Sequence, residues 1–336
     1  TYTLIETTAP NGYVKAESIT FTVSNENEKV VMKDAQITVS KTTITGKEEL
    51  EGAQLEVRDE SNNVVDSWTS TNEPHYVSGL EEGKTYTLIE TTAPNGYVKA
   101  ESITFTVSKE DQEVVMKDAE VTINKVDEET EEPVLDAEFS VFDKDGNLID
   151  QWITDGKKHA VSHLEVGKEY ILKETKTPRG YQTVPDSTFT VSGEEDLSLE
   201  IKEKPILVNI QVNKVDAKSK QLIKNKDFEF TLYNDPDCTQ SIDSASSKEG
   251  SAIFKDLRYG TYYIKETKAP LGYHLSQEVK KVVIDENVKG DTYTFEYENT
   301  PIEIIHTGDP TDLLVIIGLG LVSMISVVLL LIKKES

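Results

Sequence analysis

The sequence has almost no cysteine, and this absence excludes covalent stapling through sulfur. Cys238 is the single cysteine among 336 residues, so the chain offers neither an internal disulfide nor a cysteine-rich metal site. The five histidines show no metal-ligand spacing. We therefore expect no cofactor and no bound metal, and any covalent cross-link within the chain must use other chemistry.

Basic residues are also few relative to acidic ones. The chain has 35 lysines and arginines against 61 aspartates and glutamates, which gives a formal net charge of −26. Nucleic acids and anionic membrane surfaces require basic patches, so we expect no nucleic-acid partner. With 37% hydrophobic and 7% aromatic residues, the composition suits several small domains better than one large core.

Signatures of a turnover enzyme are missing from the sequence. It shows no phosphate-binding loop and no pairing of a nucleophile with a base. The segment "DKDGN" from Asp143 to Asn147 begins like a calcium loop, but its twelfth position is Thr154 instead of glutamate. A hairpin turn explains this segment better. We predict that the protein is not an enzyme that turns over a substrate.

The chain does contain an internal repeat. The opening segment, "TYTLIETTAPNGYVKAESITFTVS", begins at Thr1 and returns letter for letter at Thr85, a step of 84 residues. Looser copies follow further along the chain. Because the sequence begins inside a copy of the repeat, we expect the chain to be the C-terminal piece of a longer protein. The predicted domains are residues 1–35, which form a partial copy, and the full copies 36–119, 120–205 and 206–301.

The residue pattern within each copy predicts β-structure. Short runs of Val, Ile, Thr, Tyr and Phe alternate with turn-forming segments such as "APNGY", "DKDGN" and "LEVGK". Short strands at this spacing are typical of an all-β sandwich. Units of about 85 residues match the size of an Ig-like sandwich, so we predict tandem domains of this class.

Charged residues fall on the apolar face of several predicted strands. Residues i, i+2 and i+4 share one face of a strand, and in this count Glu90 follows Tyr86 and Leu88. The same count directs toward each core an amine from the first strand, an acid from a middle strand, and a carboxyl or carboxamide from the last strand. These residues are Lys41, Glu90 and Asp118 in the first full unit, Lys125, Glu174 and Glu203 in the middle unit, and Lys214, Glu266 and Asn299 in the third.

Three interpretations of these inward polar residues remain open. The side chains lie at strand ends and reach water, or they form buried ion pairs, whose desolvation offsets much of the attraction. In the third interpretation, an apolar site favours neutral lysine and protonated acid, the forms that nucleophilic attack and proton transfer require. A neutral amine beside a polarised carbonyl can form an amide. Recurrence in three units argues against the first interpretation.

The segments around the inward acids resemble the Cna B-type domains of Gram-positive surface adhesins and pilins. The resemblance covers nearly the whole chain and implies tandem transthyretin-like sandwiches. In that family a strand lysine bonds spontaneously to an Asn or Asp of the last strand, and the acid of the "ETxAPxGY" segment assists. The matching segments are "ETTAPNGY" (Glu90 to Tyr97), "ETKTPRGY" (Glu174 to Tyr181) and "ETKAPLGY" (Glu266 to Tyr273).

The resemblance assigns roles to the residues of the first and third full units. In the first, it implies that Lys41 joins Asp118 with loss of water while Glu90 shuttles the proton. The third unit ends in "FEYENTP", which resembles the family's Asn-x-Pro ending. There the resemblance implies that Lys214 joins Asn299 with loss of ammonia, assisted by Glu266.

The middle and partial units depart from this pattern. The last strand of the middle unit, "LEIKEKP", has Glu203 where the acceptor is expected, and we expect its longer arm to displace the carbonyl from the amine. Lys125, Glu174 and Glu203 are therefore predicted to form an unreacted charge cluster. The partial unit has Glu6 and Asp34, and we expect its lysine to lie upstream of residue 1.

The C-terminal segment predicts a membrane anchor. Residues 313–332 are 20 uncharged residues, enough for a transmembrane helix of about 30 Å, and residues 333–336 form a basic cytoplasmic tail. The preceding linker, residues 302–312, contains "IIHTG", which resembles the sortase sorting consensus Leu-Pro-x-Thr-Gly at Thr307 and Gly308 but lacks its Leu and Pro. The resemblance implies cleavage after Thr307 and transfer to peptidoglycan; without cleavage the protein is a single-span membrane protein.

Together these features predict a cell-surface stalk of a wall-anchored adhesin from a Gram-positive bacterium. Its partners would be sortase, peptidoglycan and, through an upstream binding region, a host extracellular protein or other surface ligand. One alternative is a pilus subunit polymerised by sortase, although the sequence shows no lysine segment like "YPKN". Another is the stalk of an extracellular enzyme whose catalytic domain lies upstream.

Overall fold

The computed structural model describes residues 1–303. The sorting-like motif with Thr307 and Gly308, the predicted helix at 313–332 and the basic tail at 333–336 lie outside these residues. Within residues 1–303, no helix has the length and apolar character needed to cross a membrane.

All regular secondary structure in the described part of the chain is β-strand. The strands are β1 (Tyr2–Leu4), β2 (Ile19–Phe21), β3 (Ile37–Thr43), β4 (Gln54–Arg58), β5 (Val64–Thr69), β6 (His75–Tyr76), β7 (Thr85–Thr92), β8 (Ile103–Thr106), β9 (Gln112–Asp118), β10 (Val121–Asp127), β11 (Glu138–Asp143), β12 (Leu148–Ile153), β13 (His159–Ala160), β14 (Glu169–Lys176), β15 (Ser187–Thr190), β16 (Leu197–Glu203), β17 (Val208–Asp216), β18 (Phe228–Tyr233), β19 (Ser241–Ser247), β20 (Ser251–Leu257), β21 (Gly260–Lys268), β22 (Val279–Ile284) and β23 (Thr292–Asn299).

These strands form three two-sheet sandwiches with one shared topology. The chain divides into two compact units, residues 1–206 and a second unit that begins at Leu207. The first unit contains the small sheet β1-β2, then a sandwich of sheets β6-β3-β9 and β5-β4-β7-β8, then one of β13-β10-β16 and β12-β11-β14-β15. The second unit contains sheets β20-β17-β23 and β19-β18-β21-β22. The prediction of tandem all-β sandwiches is confirmed.

The first and last strands of each sandwich lie side by side and run parallel. In each pair, the residue two places after the inward lysine is in register with the inward residue that ends the last strand. The registered pairs are Thr43 with Asp118, Asp127 with Glu203, and Asp216 with Asn299. Because residues two apart share a face of a strand, the lysine and the final residue point into the same core as diagonal neighbours.

Alternation of side chains explains why the polar residues enter the core. Along β7, burial alternates strictly, with Tyr86, Leu88 and Glu90 on the buried face. Along β3, Ile37, Val39 and Lys41 share the face that packs into the core, although Ser40 and Thr42 on the other face are buried as well. The polar residue thus ends a row of apolar side chains that pack between the two sheets.

Within the first unit, the partial repeat and the first full repeat each contribute a valine to the core of the next repeat. Val98 follows the turn after β7, is fully buried, and packs in the core of the middle sandwich. The backbone around it is fixed across the junction, since Lys99 N donates to Leu164 O at 2.9 Å and Gly96 N donates to Ser162 Oγ at 3.0 Å. Val14 enters the core of the first full sandwich in the same manner.

Candidate cross-linking sites

The first site joins both sheets of the first full sandwich. Lys41 on β3 has its Nζ 3.0 Å from Glu90 Oε1 on β7 and in contact with Asp118 Oδ1 on β9. Each of the three residues is only 1% exposed. This burial excludes the interpretation in which the side chains reach water from the strand ends.

The acid of this site is held in place by backbone. Glu90 Oε2 accepts a hydrogen bond from Ala100 N at 2.7 Å, which leaves Oε1 directed at the amine. The pKa of Asp118 is raised from 3.8 to about 7, because burial outweighs the opposing effect of Lys41 and the Glu90 carboxylate adds to the rise. A protonated Asp118 has a hydroxyl that can leave as water.

The third site has the same geometry with an amide acceptor. Lys214 Nζ on β17 lies 2.8 Å from Glu266 Oε1 on β21 and contacts Asn299 Oδ1 on β23. Asn299 Nδ2 donates to both Glu266 oxygens at 2.9 Å and to His274 O at 3.0 Å. Glu266 Oε2 also accepts from Ser276 N at 2.8 Å. This network orients the carboxamide with its oxygen toward the lysine and its nitrogen toward the acid.

The surroundings of Lys214 favour its neutral form. Burial lowers the pKa of this lysine from 10.5 to about 8, although the Glu266 carboxylate partly opposes the shift. The amine faces the rings of Tyr297, at 4.3 Å from the centroid, and Phe230, at 5.1 Å. The amine therefore loses its proton more easily than an exposed lysine does, and a neutral amine is a competent nucleophile.

The middle site brings the three predicted residues together. Lys125 Nζ on β10 lies 3.1 Å from Glu174 Oε1 on β14 and contacts Glu203 Oε2 on β16. The side chains of the two acids are fully buried, and that of Lys125 is 1% exposed. Burial lowers the pKa of Lys125, and Glu174 opposes the shift.

The partial repeat keeps part of this arrangement. Glu6 Oε2 accepts a hydrogen bond from Ala16 N at 2.7 Å, the same anchor that Glu90 has. Asp34 is half-buried, and burial, followed by the nearby Glu6 carboxylate, raises its pKa. The two acids of the partial repeat thus lie near each other.

Sequence reasoning missed a polar pair on the surface of the first sandwich. His75 stacks on Trp68 with ring centroids 4.0 Å apart, and its Nε2 lies 3.0 Å from Asp66 Oδ2. Asp66 Oδ2 also accepts from Ser78 N at 2.9 Å, and Ser78 Oγ accepts from Gly12 N at 3.1 Å. The available signal was the recurrence of Asp, Trp and His at the same spacing in the middle repeat.

The middle repeat has the same arrangement at its own junction. His159 stacks on Trp152 at 4.0 Å and pairs with Asp150 at 3.0 Å. Ser162 N donates to Asp150 Oδ2 at 2.9 Å, and Ser162 Oγ receives the hydrogen bond from Gly96 described above. The pair therefore supports the loop that receives the preceding repeat.

The fold and the buried triads define a protein built from tandem β-sandwiches, each with a lysine and two polar partners in its core. The sequence matches the SpaA family model, described as a prealbumin-like fold domain, at residues 1–36, 35–120, 119–205 and 208–301. The chain therefore belongs to this family. The resemblance to Cna B-type pilins and adhesins of Gram-positive bacteria is confirmed.

Several known proteins are similar to this chain. The trypsin-resistant surface T6 protein of Streptococcus pyogenes serotype M6 is 35% identical over 74 residues, which cover 22% of this chain and 14% of that protein. The structure of the Bacillus anthracis TIE protein is 26% identical, covers 79% of this chain and 50% of its own, and gives a TM-score of 0.45.

A pilin structure is similar over a comparable part of the chain. BcpA, the major pilin subunit of Bacillus cereus, is 17% identical, covers 80% of this chain and 99% of its own, and gives a TM-score of 0.28. At this identity the likeness concerns the fold alone.

Proposed function

We propose that the chain is the stalk of a wall-anchored Gram-positive surface adhesin, and that intramolecular amides tie its first and third full sandwiches. The observation that carries this proposal is the buried triad of amine, acid and carbonyl acceptor that bridges the first and last strands. A buried ion pair contributes little net stability because desolvation offsets the attraction. Conversion to an amide removes this desolvation cost.

The two reactions share one mechanism and differ in the leaving group. The neutral Nζ of Lys41 attacks Cγ of Asp118, a new N–C bond forms, and the C–OH bond breaks. Glu90 takes the proton from nitrogen and passes it to the departing hydroxyl, which leaves as water. In the third sandwich Lys214 attacks Cγ of Asn299, and Glu266 passes the proton to the amide nitrogen, which leaves as ammonia.

The reaction has a mechanical role and no turnover. Each site reacts once and keeps its product, so we propose that the protein is not an enzyme. Tension enters a sandwich at its first strand and leaves at its last strand. The amide between Lys41 and Asp118 closes the chain between these residues into a loop that tension does not extend. Closing a loop of this length limits the unfolded chain and stabilises the fold by about 4 kcal/mol.

The remaining parts of the proposal concern attachment. Sortase would cleave after Thr307 and transfer the chain to peptidoglycan, with the segment at 313–332 holding the precursor in the membrane. An upstream region would bind a host protein or another surface ligand. A pilus subunit is the second candidate because the described domains have a pilin-like fold. A stalk of an extracellular enzyme is the third.

Peptide mapping tests the cross-links directly. The full chain is produced in a host without sortase, denatured, digested and analysed by mass spectrometry. We expect branched peptides that join Lys41 to Asp118 and Lys214 to Asn299. The Glu90→Ala variant should lose the first branch and keep the second, and Glu266→Ala should do the reverse. Linear peptides at both sites in the wild-type chain would refute the proposal.

A further inference from the structure

The middle sandwich has a glutamate at the position of the proposed acceptor. Glu203 is in register with Asp127, two residues after Lys125. Asp118 and Asn299 occupy the same register position relative to their own lysines. The sheet therefore delivers Glu203 to the place where the other two sandwiches have Asp and Asn.

The longer arm of Glu203 does not separate it from the amine. The sequence argument for an unreacted cluster rested on the extra methylene group, which was expected to displace the carbonyl. In the structure Glu203 Oε2 contacts Lys125 Nζ, and Glu203 is 0% exposed. The extra methylene is thus accommodated inside the core while the carboxyl group meets the lysine.

The assisting acid is positioned as in the other two sites. Glu174 Oε2 accepts from Val184 N at 2.9 Å and from Thr177 Oγ1 at 3.1 Å. The anchoring amide lies ten residues after the acid, the same separation as between Glu90 and Ala100. The second oxygen, Oε1, is then free to face the amine at 3.1 Å.

The charges of this cluster are poorly compensated. Two carboxyl groups face one amine, and among the described residues the Glu203 carboxyl group has no hydrogen-bond partner besides its contact with Lys125 Nζ. The ring of Phe139, 4.6 Å from Nζ, provides an apolar wall. A buried negative charge without a cation of its own costs free energy, and burial also lowers the pKa of this lysine. Condensation removes one positive and one negative charge from the core.

We propose that the middle sandwich closes its own amide, between Nζ of Lys125 and Cδ of Glu203. The neutral amine attacks Cδ of the protonated carboxyl group, the N–C bond forms, and the C–OH bond breaks. Glu174 takes the proton from nitrogen and delivers it to the hydroxyl, which leaves as water. The step needs no oxidant or other reactant. It rests on the proposed function, since it uses the same chemistry with a longer acceptor.

Peptide mapping of the full chain, produced without sortase, tests this site separately from the others. We expect a branched peptide that joins Lys125 to Glu203 and is lighter by one water than its two linear parts. Glu203→Ala and Glu174→Ala should abolish this branch while the branches at Lys41 and Lys214 persist. Persistence of those branches shows that the rest of the chain has folded.

A matched variant distinguishes the possible failures. Glu203→Asp gives the middle sandwich the acceptor of the first one, so it should react with loss of one water. If this variant forms the branch and wild type does not, the arm length prevents reaction and the inference is wrong. If Lys125 and Glu203 stay linear in both chains while the other two sites are linked, the inference also fails, whereas linear peptides at all three sites overturn the proposed function itself.

Discussion

At the scale of single residues, the proposed reaction depends on the acceptor, which sets the leaving group, and on the acid, which transfers the proton. Asp118 and Asn299 make equivalent contacts with their lysines through one side-chain oxygen. The amide nitrogen of Asn299 is bound by Glu266, while one oxygen of Asp118 has no hydrogen-bond partner among the described residues. In the proposed reaction both acceptors would nevertheless lead to the same lysine–aspartyl amide.

This equivalence gives a prediction for the third site. The Asn299→Asp variant should react with loss of water where wild type loses ammonia, and both routes give one product. Wild type and variant should therefore have identical intact masses, although their unreacted chains differ. A mass difference equal to that between Asn and Asp would show that neither chain had reacted, and a difference of one water or one ammonia would show that only one of them had. The Asn299→Ala variant, which has no acceptor, is the unreacted control.

A second prediction concerns pH. In the Glu266→Ala variant the amide should not form. The variant also lacks the carboxylate that raises the pKa of Lys214, so burial keeps this pKa well below its ordinary value. Between pH values of about 8 and 10.5, the unfolded chain then binds more protons at this lysine than the folded chain does. The free energy of unfolding should consequently rise with pH across this window.

The pH effect can be measured as a difference. The urea midpoint of unfolding is measured for the variant and for wild type at each pH, and the wild-type value is subtracted. The difference isolates this site because the lysine amine of wild type is consumed in the proposed amide. We expect the variant to gain stability relative to wild type as pH rises from about 8 to 10.5. A relative loss of stability over this window would contradict a free buried lysine.

At the scale of elements, the parallel pairing of first and last strands would make the proposed cross-link effective. β3 and β9 are adjacent over their whole length, so a bond between them joins the two ends of the sandwich. The junction between repeats is a second feature of the strand arrangement that links neighbouring sandwiches. Val98 leaves its own sandwich and completes the core of the next one.

The junction predicts a coupling between neighbouring repeats. Val98→Ala should leave a cavity in the middle sandwich and destabilise that sandwich by about 2 kcal/mol. Trp152 packs against this core, so its fluorescence in a Trp68→Phe background reports urea unfolding of the middle repeat. Val64→Ala, at a half-exposed position of the first sandwich, is the matched control. Equal midpoints for the Val98 and Val64 variants would refute the coupling.

A glycine at the same junction shows how close the repeats approach. Gly96 has φ of +84°, and a Cβ built on it would lie 3.0 Å from the Cβ of Ala160 in the next repeat. Both the backbone conformation and the contact exclude a larger residue without rearrangement. The turn of one repeat thus fits only because it has no side chain at this position.

The sequence predicted the strands and the inward polar residues because both depend on local alternation. The period-two count that placed Glu90 behind Leu88 depends only on neighbouring residues. The roles of Val98 and of the pair formed by His75 and Asp66 could not be predicted in this way, because their partners lie in other elements. The period-two count also could not predict that the Glu203 carboxyl group contacts Lys125, because this contact depends on the side-chain conformation inside a packed core.

At the scale of the whole molecule, the proposed reactions would give a chain of repeated sandwiches in which each full domain is closed by its own amide. The described domains lack disulfides, and the acidic surface favours solubility. A stalk that transmits tension from a surface ligand to an anchor requires domains that do not extend under load. Three separate amides would meet this requirement without any contribution from sulfur chemistry.

Stretching the molecule tests this role. When single full-length chains are pulled from both ends, wild type should show no extension from the segment between Lys41 and Asp118. The Glu90→Ala variant should release that segment as one additional unfolding step. Release of the same length in both chains would show that the first sandwich is not closed by a covalent bond.

The intact mass of the denatured full chain, produced in a host without sortase, tests the central claim most directly. The account predicts a mass below that of the sequence by two waters and one ammonia, with one water each from the first and middle sandwiches and the ammonia from the third. A mass equal to that of the sequence would contradict it, because all three lysines would then be free amines in buried ion pairs.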